Sequence, residues 1–404
     1  MNKKFVVNNH EYVFDGNNLE LYLVKDGVKN TDEKSCSSIF KKEPGKLYKL
    51  VFNVANLCNL NCKYCYASGG NYNRENNVMS FEQADKILEK VFKKYSKLET
   101  VYFFGGEPLL NFKLIKYLVE KIEKHYNGSR IDFRTVTNGM FLTPKRIDFM
   151  NDHNFKLYVS LDGPKQIHEY LRGTGTFDLI MDNLKYLKNK DFASKTEILC
   201  TYTRYHQEHI TLEDLEVFFK KLGFRYSIHG VDTNDESLKL IEDGITYEES
   251  EKNFIDISMD RIINDSMNVG TSYYLTSVIN ALLFHNKQDY FCKELVNDYS
   301  NVFDYNGDEY SCIRFLGTHG KNDKEIKEKN VKSADVCKKC WCRYLCNLCL
   351  ADIIMGINDY PFDGDDCSIK SLYEYALQKI VDLMEKNPSK LNLLVNNYID
   401  NFIK

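Results

Sequence analysis

The segment CNLNCKYCYA, Cys58 to Ala67, constrains this chain more than any other feature, because it sets Cys58, Cys62 and Cys65 within eight residues and supplies no fourth thiol nearby. A structural zinc ion takes four ligands in a closed tetrahedron. Three thiolates suit a [4Fe–4S] cube instead, held through three of its irons with the fourth left open to another molecule.

The surroundings of that segment follow a regular pattern. From Tyr48 onward, short apolar runs rich in β-branched and aromatic residues alternate with helical periodicity. Strands are expected at 49–55, 100–104, 131–137, 156–161, 197–203 and 224–230. Helix starts show as capping-box spacing at Ser80 with Gln83 and at Thr246 with Glu249, and as the Thr143–Pro144 pair. Phe112, Ile115, Leu118, Val119 and Ile122 form an apolar stripe. Six strand–helix repeats with short connections predict parallel strands and right-handed crossovers, a barrel or partial barrel. In such folds the chemistry gathers at the carboxyl ends of the strands. The cysteine triplet follows strand one there, GGEPLL strand two, TNGM strand three and SLDGP strand four.

At 404 residues the chain has room for one large α/β domain and a smaller companion. The expected division is an N-terminal β-hairpin and linker over 1–46, the barrel over 47–285, a cysteine-rich domain over 286–370 and a C-terminal helix over 371–404. A net charge of −4 gives no polyelectrolyte attraction to nucleic acid or an anionic membrane. No run approaches the ~18 apolar residues of a membrane span, and MNKKFVVNNHEYV lacks the apolar core of a signal peptide, which predicts a cytoplasmic protein. In a reducing compartment, clustered thiols among thirteen cysteines are metal ligands and not disulfides. Cys36 and Cys200 stand alone and read as ordinary thiols. Eight more cysteines fall between Cys292 and Cys367, and the pairs Cys337–Cys340 and Cys346–Cys349 lie too close for a zinc ribbon, whose spacing is about 15–20 residues.

The C-x3-C-x2-C pattern with Tyr64 before its last cysteine resembles the cluster loop of radical S-adenosylmethionine (radical SAM) enzymes, over roughly residues 47–285. The resemblance implies a partial (β/α)6 barrel in which the open iron chelates SAM, and one electron splits SAM into methionine and a 5′-deoxyadenosyl radical. Gly105, Gly106, Glu107 and Pro108 resemble the stretch that receives the methionine amine, with Glu107 offering acceptors to it. Ser160 and Asp162 match positions that line the carboxylate and ribose, and Thr137 and Asn138 line the same cavity. Tyr64 is placed against the adenine. Arg172 is read either as a partner of the SAM carboxylate or as a surface arginine. His229, at the end of strand six, faces the right way for a catalytic role but is read first as a core histidine, and His206 and His209 are read as surface residues at a helix start.

The second cysteine region is similar to the SPASM domain of peptide-modifying radical SAM enzymes, which binds two auxiliary [4Fe–4S] clusters, so that three clusters are implied in all. By that resemblance Cys337, Cys340, Cys346 and Cys367 hold one auxiliary cluster. Cys292, Cys312 and Cys349 hold the other, one ligand short. The gap before Cys349 is two residues where three are usual, and Cys342 is extra, so either Cys342 or Cys349 completes the open cluster. The implied function is maturation of a ribosomally made precursor peptide, with a cysteine thioether as the leading product and a low-potential flavodoxin or ferredoxin as electron donor. Alternatives are a formylglycine-forming sulfatase maturase or a carbon–carbon crosslinking maturase. The formylglycine enzymes carry an aspartate directly after the cysteine that corresponds to Cys312, where this chain has Ile313. A non-catalytic zinc or iron–sulfur module would leave GGEP, TNG and SLDGP unexplained. Residues 1–46 are expected to be a reduced leader-recognition element or a cap on the barrel.

Overall fold

In the computed structural model of the protein, the described residues are 1–24, 43–190, 192–233, 235–241, 244, 246–264, 270–296, 299–316, 324–332, 335–351, 362–363, 366–367 and 369–403. Cys36 lies outside them. The chain forms two compact units, one made of Met1–Lys42, Asp243–Lys293 and Lys324–Lys404, the other of Glu43–Glu242 and Glu294–Asp323. This division differs from the linear one expected at 47–285: the helix that begins at the Thr246–Glu249 capping box groups with both chain termini. The hydrophobic surface of that helix is covered by segments distant in sequence, which local periodicity does not reveal.

In the first unit the N-terminal residues form an antiparallel meander, β1 (Asn2–Val7), β2 (His10–Asp15) and β3 (Glu20–Leu23). Asn8 and Asn9 turn the first hairpin at φ 48° and 66°, the left-handed region that asparagine tolerates. The meander packs within its own unit. Lys3 pairs with Glu374 at 2.7 Å, Asn8 donates to Glu385 at 2.8 Å, and the Trp341 ring stands edge-on to Phe14 at 5.9 Å. A Cβ on Gly16 would lie 1.8 Å from the Trp341 carbonyl oxygen, so the turn after β2 rests directly on the Cys340–Cys342 segment. The helix Tyr247–Ile263 starts at the expected reciprocal cap, with Thr246 Oγ1 accepting from Glu249 N and Glu249 accepting from Thr246 N. The single C-terminal helix expected over 371–404 is present as Lys370–Lys386 and is followed by a separate helix, Pro388–Tyr398.

The second unit is a mixed α/β fold around a parallel sheet. Its six expected strands are β4 (Lys46–Asn56), then, after the two-residue β5 (Asn77–Val78), β6 (Lys97–Gly105), β7 (Asp132–Thr137), β8 (Phe155–Ser160), β9 (Thr196–Tyr202) and β10 (Arg225–Gly230). They lie side by side in chain order, all parallel. Helices α1 (Phe81–Lys94), α2 (Phe112–His125), α3 (Pro144–Asp152), α4 (Lys165–Arg172), α5 (Thr176–Asn189), α6 (Arg204–His209) and α7 (Leu212–Leu222) make the crossovers. α1 starts where Ser80 Oγ accepts from Gln83 N, and α2 buries Ile115, Leu118, Val119 and Ile122. Phe52, Phe103, Phe133 and Phe155 are fully buried and stack across consecutive strands, with centroids 5.5–6.3 Å apart. Each buried ring contributes about 1.5–3 kcal/mol. The sequence pattern did not reveal β11 (Ser300–Phe303), which adds a further parallel strand beside β4, or β12 (Glu309–Tyr310), its antiparallel neighbour. Both are too short to carry a readable alternation.

Candidate functional site

Parallel strands in one order send their carboxyl ends to one edge, and there the loops after β4, β6, β7, β8, β9 and β10 surround a cavity of about 310 Å3. Cys58, Cys62 and Cys65 line it, with Tyr64, Gly105, Gly106, Thr137, Asn138, Ser160 and Arg172. Glycine is required where the cysteine loop meets the loop after β6. A Cβ on Gly70 would fall 2.5 Å from Gly106 Cα and 2.8 Å from Cys58 Cβ, and one on Gly106 would fall 2.4 Å from Leu57 O. Gly70 also sits at φ +90°. Gly70→Ala should therefore push Cys58 outward, and iron retained after anaerobic reconstitution should fall well below that of the parent; undiminished iron would show that the contact is not needed.

The Cys58 sulfur receives two donors, the Leu60 amide at 3.4 Å and Asn138 Nδ2 at 3.7 Å. Burial pushes the Cys58 thiol up, and the Cys62 thiol up to about 11 despite the nearby Arg172 charge. Bare, the loop keeps these thiols protonated; iron binding would release the protons. The donor set fits a cube in kind, three soft ligands facing one cavity. No group of three or more His, Cys, Asp or Glu side chains among the described residues is arranged to hold a single metal ion. A cube does not ask for that, since each thiolate takes a different iron.

Three expected cavity residues lie elsewhere. Glu107 and Asp162 are fully buried and Pro108 is buried, and none of the three lines the cavity. Both Glu107 oxygens are already engaged: Oε1 accepts from Leu109 N at 3.0 Å and Thr137 Oγ1 at 2.8 Å, and Oε2 accepts from Asn138 N at 2.7 Å. Glu107 thus ties the end of β6 to the end of β7, with both of its oxygens engaged in that tie. Burial raises its carboxyl to about 7, against the pull of these hydrogen bonds. A raised folded value means that the native state holds the proton more tightly, so stability falls as pH rises from the ordinary carboxylate range to about 7. Relative to a Glu107→Gln variant, the parent should lose up to about 3 kcal/mol between pH 4.5 and 7. Urea unfolding across that range measures it, and parallel pH profiles would contradict the assignment.

Asp162 departs further from expectation. Its carboxylate accepts from Arg172 Nε at 2.7 Å and Arg172 Nη2 at 3.0 Å, from the Tyr64 hydroxyl, and from Thr201 N at 3.1 Å. Burial works against the charge, but the bidentate Arg172 guanidinium prevails and holds the carboxyl below its usual range. Arg172 is not a surface arginine: it is 8% exposed, at the end of α4, with its guanidinium carbon 5.4 Å from the centre of the Tyr64 ring. Tyr64 is therefore held by Asp162 and Arg172. The Lys63 amide adds a bond to Leu171 O at 2.9 Å, so the cysteine loop docks on the end of α4. His168 Nδ1 accepts from Asp162 N at 3.1 Å, and His206 Nε2 donates to Asp162 O at 2.7 Å. His206 is fully buried and caps α6 through Thr203, contrary to its reading as a surface residue, and His229 is exposed, not a core histidine. The Thr203–His206 cap spacing was the local signal for His206. Asp232, which the sequence reading passed over, is the one carboxylate among the described residues that line the cavity, and it stands 3.5 Å from Arg314.

In the first unit, Cys337, Cys340, Cys346 and Cys367 line one small cavity, as grouped from the sequence, and Cys342 joins them with its sulfur 3.3 Å from that of Cys340. Cys292 and Cys349 line a separate cavity of about 850 Å3. Asn330 brackets Cys292, accepting from its amide at 2.8 Å and donating to its carbonyl at 2.9 Å. Cys312 belongs to the second unit, at the cap of the short turn Ile313–Phe315.

Residues 52–222 match the Radical SAM superfamily. They form a radical SAM domain. Membership implies SAM and a [4Fe–4S] cluster as cofactors. The chain is 29% identical over 198 residues to the radical SAM cyclopropyl synthase TigE of Paramaledivibacter caminithermalis, which covers 44% of this chain and 41% of TigE. It is 30% identical over 190 residues to a cysteine-type anaerobic sulfatase-maturating enzyme of Clostridium novyi, over 45% of this chain and 50% of that enzyme. The matches thus span half or less of these relatives' length. Among solved structures, anSMEcpe with bound AdoMet superposes with a TM-score of 0.61 at 19% identity, covering 84% of this chain and all of the other. Streptococcus suis SuiB bound to precursor peptide SuiA gives 0.55 at 16% identity, over 80% and 75%. At these identities the likeness is one of fold. No helix among the described residues is long and apolar enough to cross a membrane.

Proposed function

We propose that the protein is a peptide maturase whose radical SAM domain, a partial barrel, abstracts hydrogen from a ribosomally made precursor and so installs a crosslink, most simply a cysteine thioether. The observation that carries this is the loop after the first parallel strand, with three thiols and no fourth, facing the cavity that the other five strand ends surround. Cys58, Cys62 and Cys65 would hold the catalytic cluster, and Gly105, Gly106, Thr137, Asn138 and Ser160 would line bound SAM. With cluster and SAM bound, the site gains a 5′-deoxyadenosyl radical. The strand-end loops ring the cavity where it would form, Leu60 and Asn138 hydrogen-bond the Cys58 sulfur, and the Tyr64–Asp162–Arg172 network fixes the cysteine loop. Peptide chemistry is supported by relatives named as a cyclopropyl synthase and sulfatase maturases, and by a similar fold solved with a precursor peptide.

A SPASM-type domain fits the first unit. Cys337, Cys340, Cys346 and Cys367 would hold one auxiliary cluster, and Cys292 and Cys349 would belong to a second, giving about twelve irons per chain with the catalytic cube. A soft substrate thiolate suits an open iron, which favours the thioether. Formylglycine formation is the second reading, and Asp232 favours it by giving the cavity a carboxylate from the loop after β10, although none follows Cys312.

The test is coexpression with a small cysteine-rich peptide encoded beside the gene, followed by mass measurement. A thioether product is two hydrogens lighter, has lost one alkylatable thiol and resists reductants that open disulfides. A product of that mass which keeps every thiol points to a carbon–carbon link, and an aldehyde trapped by a hydrazide points to formylglycine. Low-potential flavodoxin or ferredoxin should replace dithionite as the electron source.

A further inference from the structure

The five-thiol cavity has a second lining. Lys332, Arg343 and Lys370 surround it together with Cys337, Cys340, Cys342, Cys346 and Cys367. Lys332 is 1% exposed, and its ammonium donates to Gln288 O at 2.8 Å and to Arg343 O at 2.7 Å. Both acceptors are neutral, and no carboxylate among the described residues lies within ion-pair distance of it. The nearby Asp289 is taken by Arg343, at 2.7 Å. Local pairing holds the lysine in place: Lys332 N donates to Asp289 O at 3.0 Å, beside the Tyr290–Val331 bridge.

An ammonium withdrawn from water without a counter-charge is unfavourable, unless the site is completed by something negative. Four thiolates around a [4Fe–4S] core carry net negative charge, and one-electron reduction adds one more. Net charge and burial are among the levers that set such a cluster's potential. We infer that Lys332 tunes the cluster of this pocket, its buried positive charge favouring the reduced state and making this cluster an easier electron acceptor than its thiol ligands alone would. The inference rests on the auxiliary-cluster assignment above. Lys332 acts as a positioning residue, through charge and not through ligation.

The test is a potentiometric titration of the anaerobically reconstituted full chain, with dithionite as reductant and electron paramagnetic resonance as readout. Lys332→Gln keeps two N–H donors without the charge, and Lys332→Arg keeps the charge. One midpoint should move to more negative potential in the Gln variant and stay near the parent's in the Arg variant, with iron content and the other midpoints unchanged. A Gln variant fully loaded with iron whose midpoints all match the parent's would overturn the inference and leave Lys332 a structural crosslink. If the Gln variant does not load, Asp289→Asn decides: removing an exposed negative charge beside the pocket should move the same midpoint the other way, and no movement refutes the role of charge. A Cys337→Ala/Cys346→Ala variant separates the two levels. If it keeps its full iron, the pocket holds no cluster and the assignment itself fails.

Discussion

Alanine at Cys58, Cys62 and Cys65 together should abolish formation of 5′-deoxyadenosine from SAM and dithionite, while removing only about four of about twelve irons. The expectation follows from geometry. These are the three thiols that face the strand-end cavity, and the remaining cysteine cavities among the described residues are built from the other unit. Loss of radical chemistry should therefore be complete, with the auxiliary iron left in place. Persistence of 5′-deoxyadenosine in the triple variant would show that the catalytic cluster is held elsewhere. Collapse of all iron would show that the two units do not load independently.

Removing the Asp162 carboxylate should have the largest effect on stability of any single change at the site. Asp162→Ala leaves the Arg172 guanidinium buried without its counter-charge, a class of change that costs about 3–5 kcal/mol. It also frees the Tyr64 hydroxyl and the Thr201 amide. Urea unfolding of the metal-free chain reads the cost, and an Asp162→Ala/Arg172→Leu double variant should recover part of it, since no lone charge then stays buried. A loss under about 1 kcal/mol, the size expected for an exposed pair, would mean that water reaches Arg172. The sign with pH is opposite to that of Glu107. A carboxyl held below its usual range contributes fully at neutral pH, and the contribution is lost as acidification passes through its folded value.

These two carboxylates mark where the sequence was legible and where it was not. GGEP and SLDGP were recognisable as strand-end loops, and both are strand-end loops. Yet Glu107 and Asp162, read as cavity residues, are the buried ties that hold those loops. A motif gives the position of a carboxylate along the chain but not which side of the wall it occupies. That is decided by whether donors from other strand ends reach it first, as Thr137, Asn138, Tyr64, Thr201 and Arg172 do. The grouping of Cys337, Cys340, Cys346 and Cys367 came from the family resemblance and not from spacing alone, and neither the place of Cys342 beside Cys340 nor the charge of Lys332 in the same pocket was legible.

The sequence by itself determined the six parallel strands, the helix caps at Ser80 and Thr246, and the three-thiol loop, because each depends on residues within a few positions of one another. The tertiary structure alone decided that Asp243–Lys293 joins both termini in one unit, that β11 extends the parallel sheet, and that Arg172 is buried against Asp162. Those outcomes turn on which distant apolar surfaces cover each other and which buried polar groups find partners. Local pattern carries no record of either.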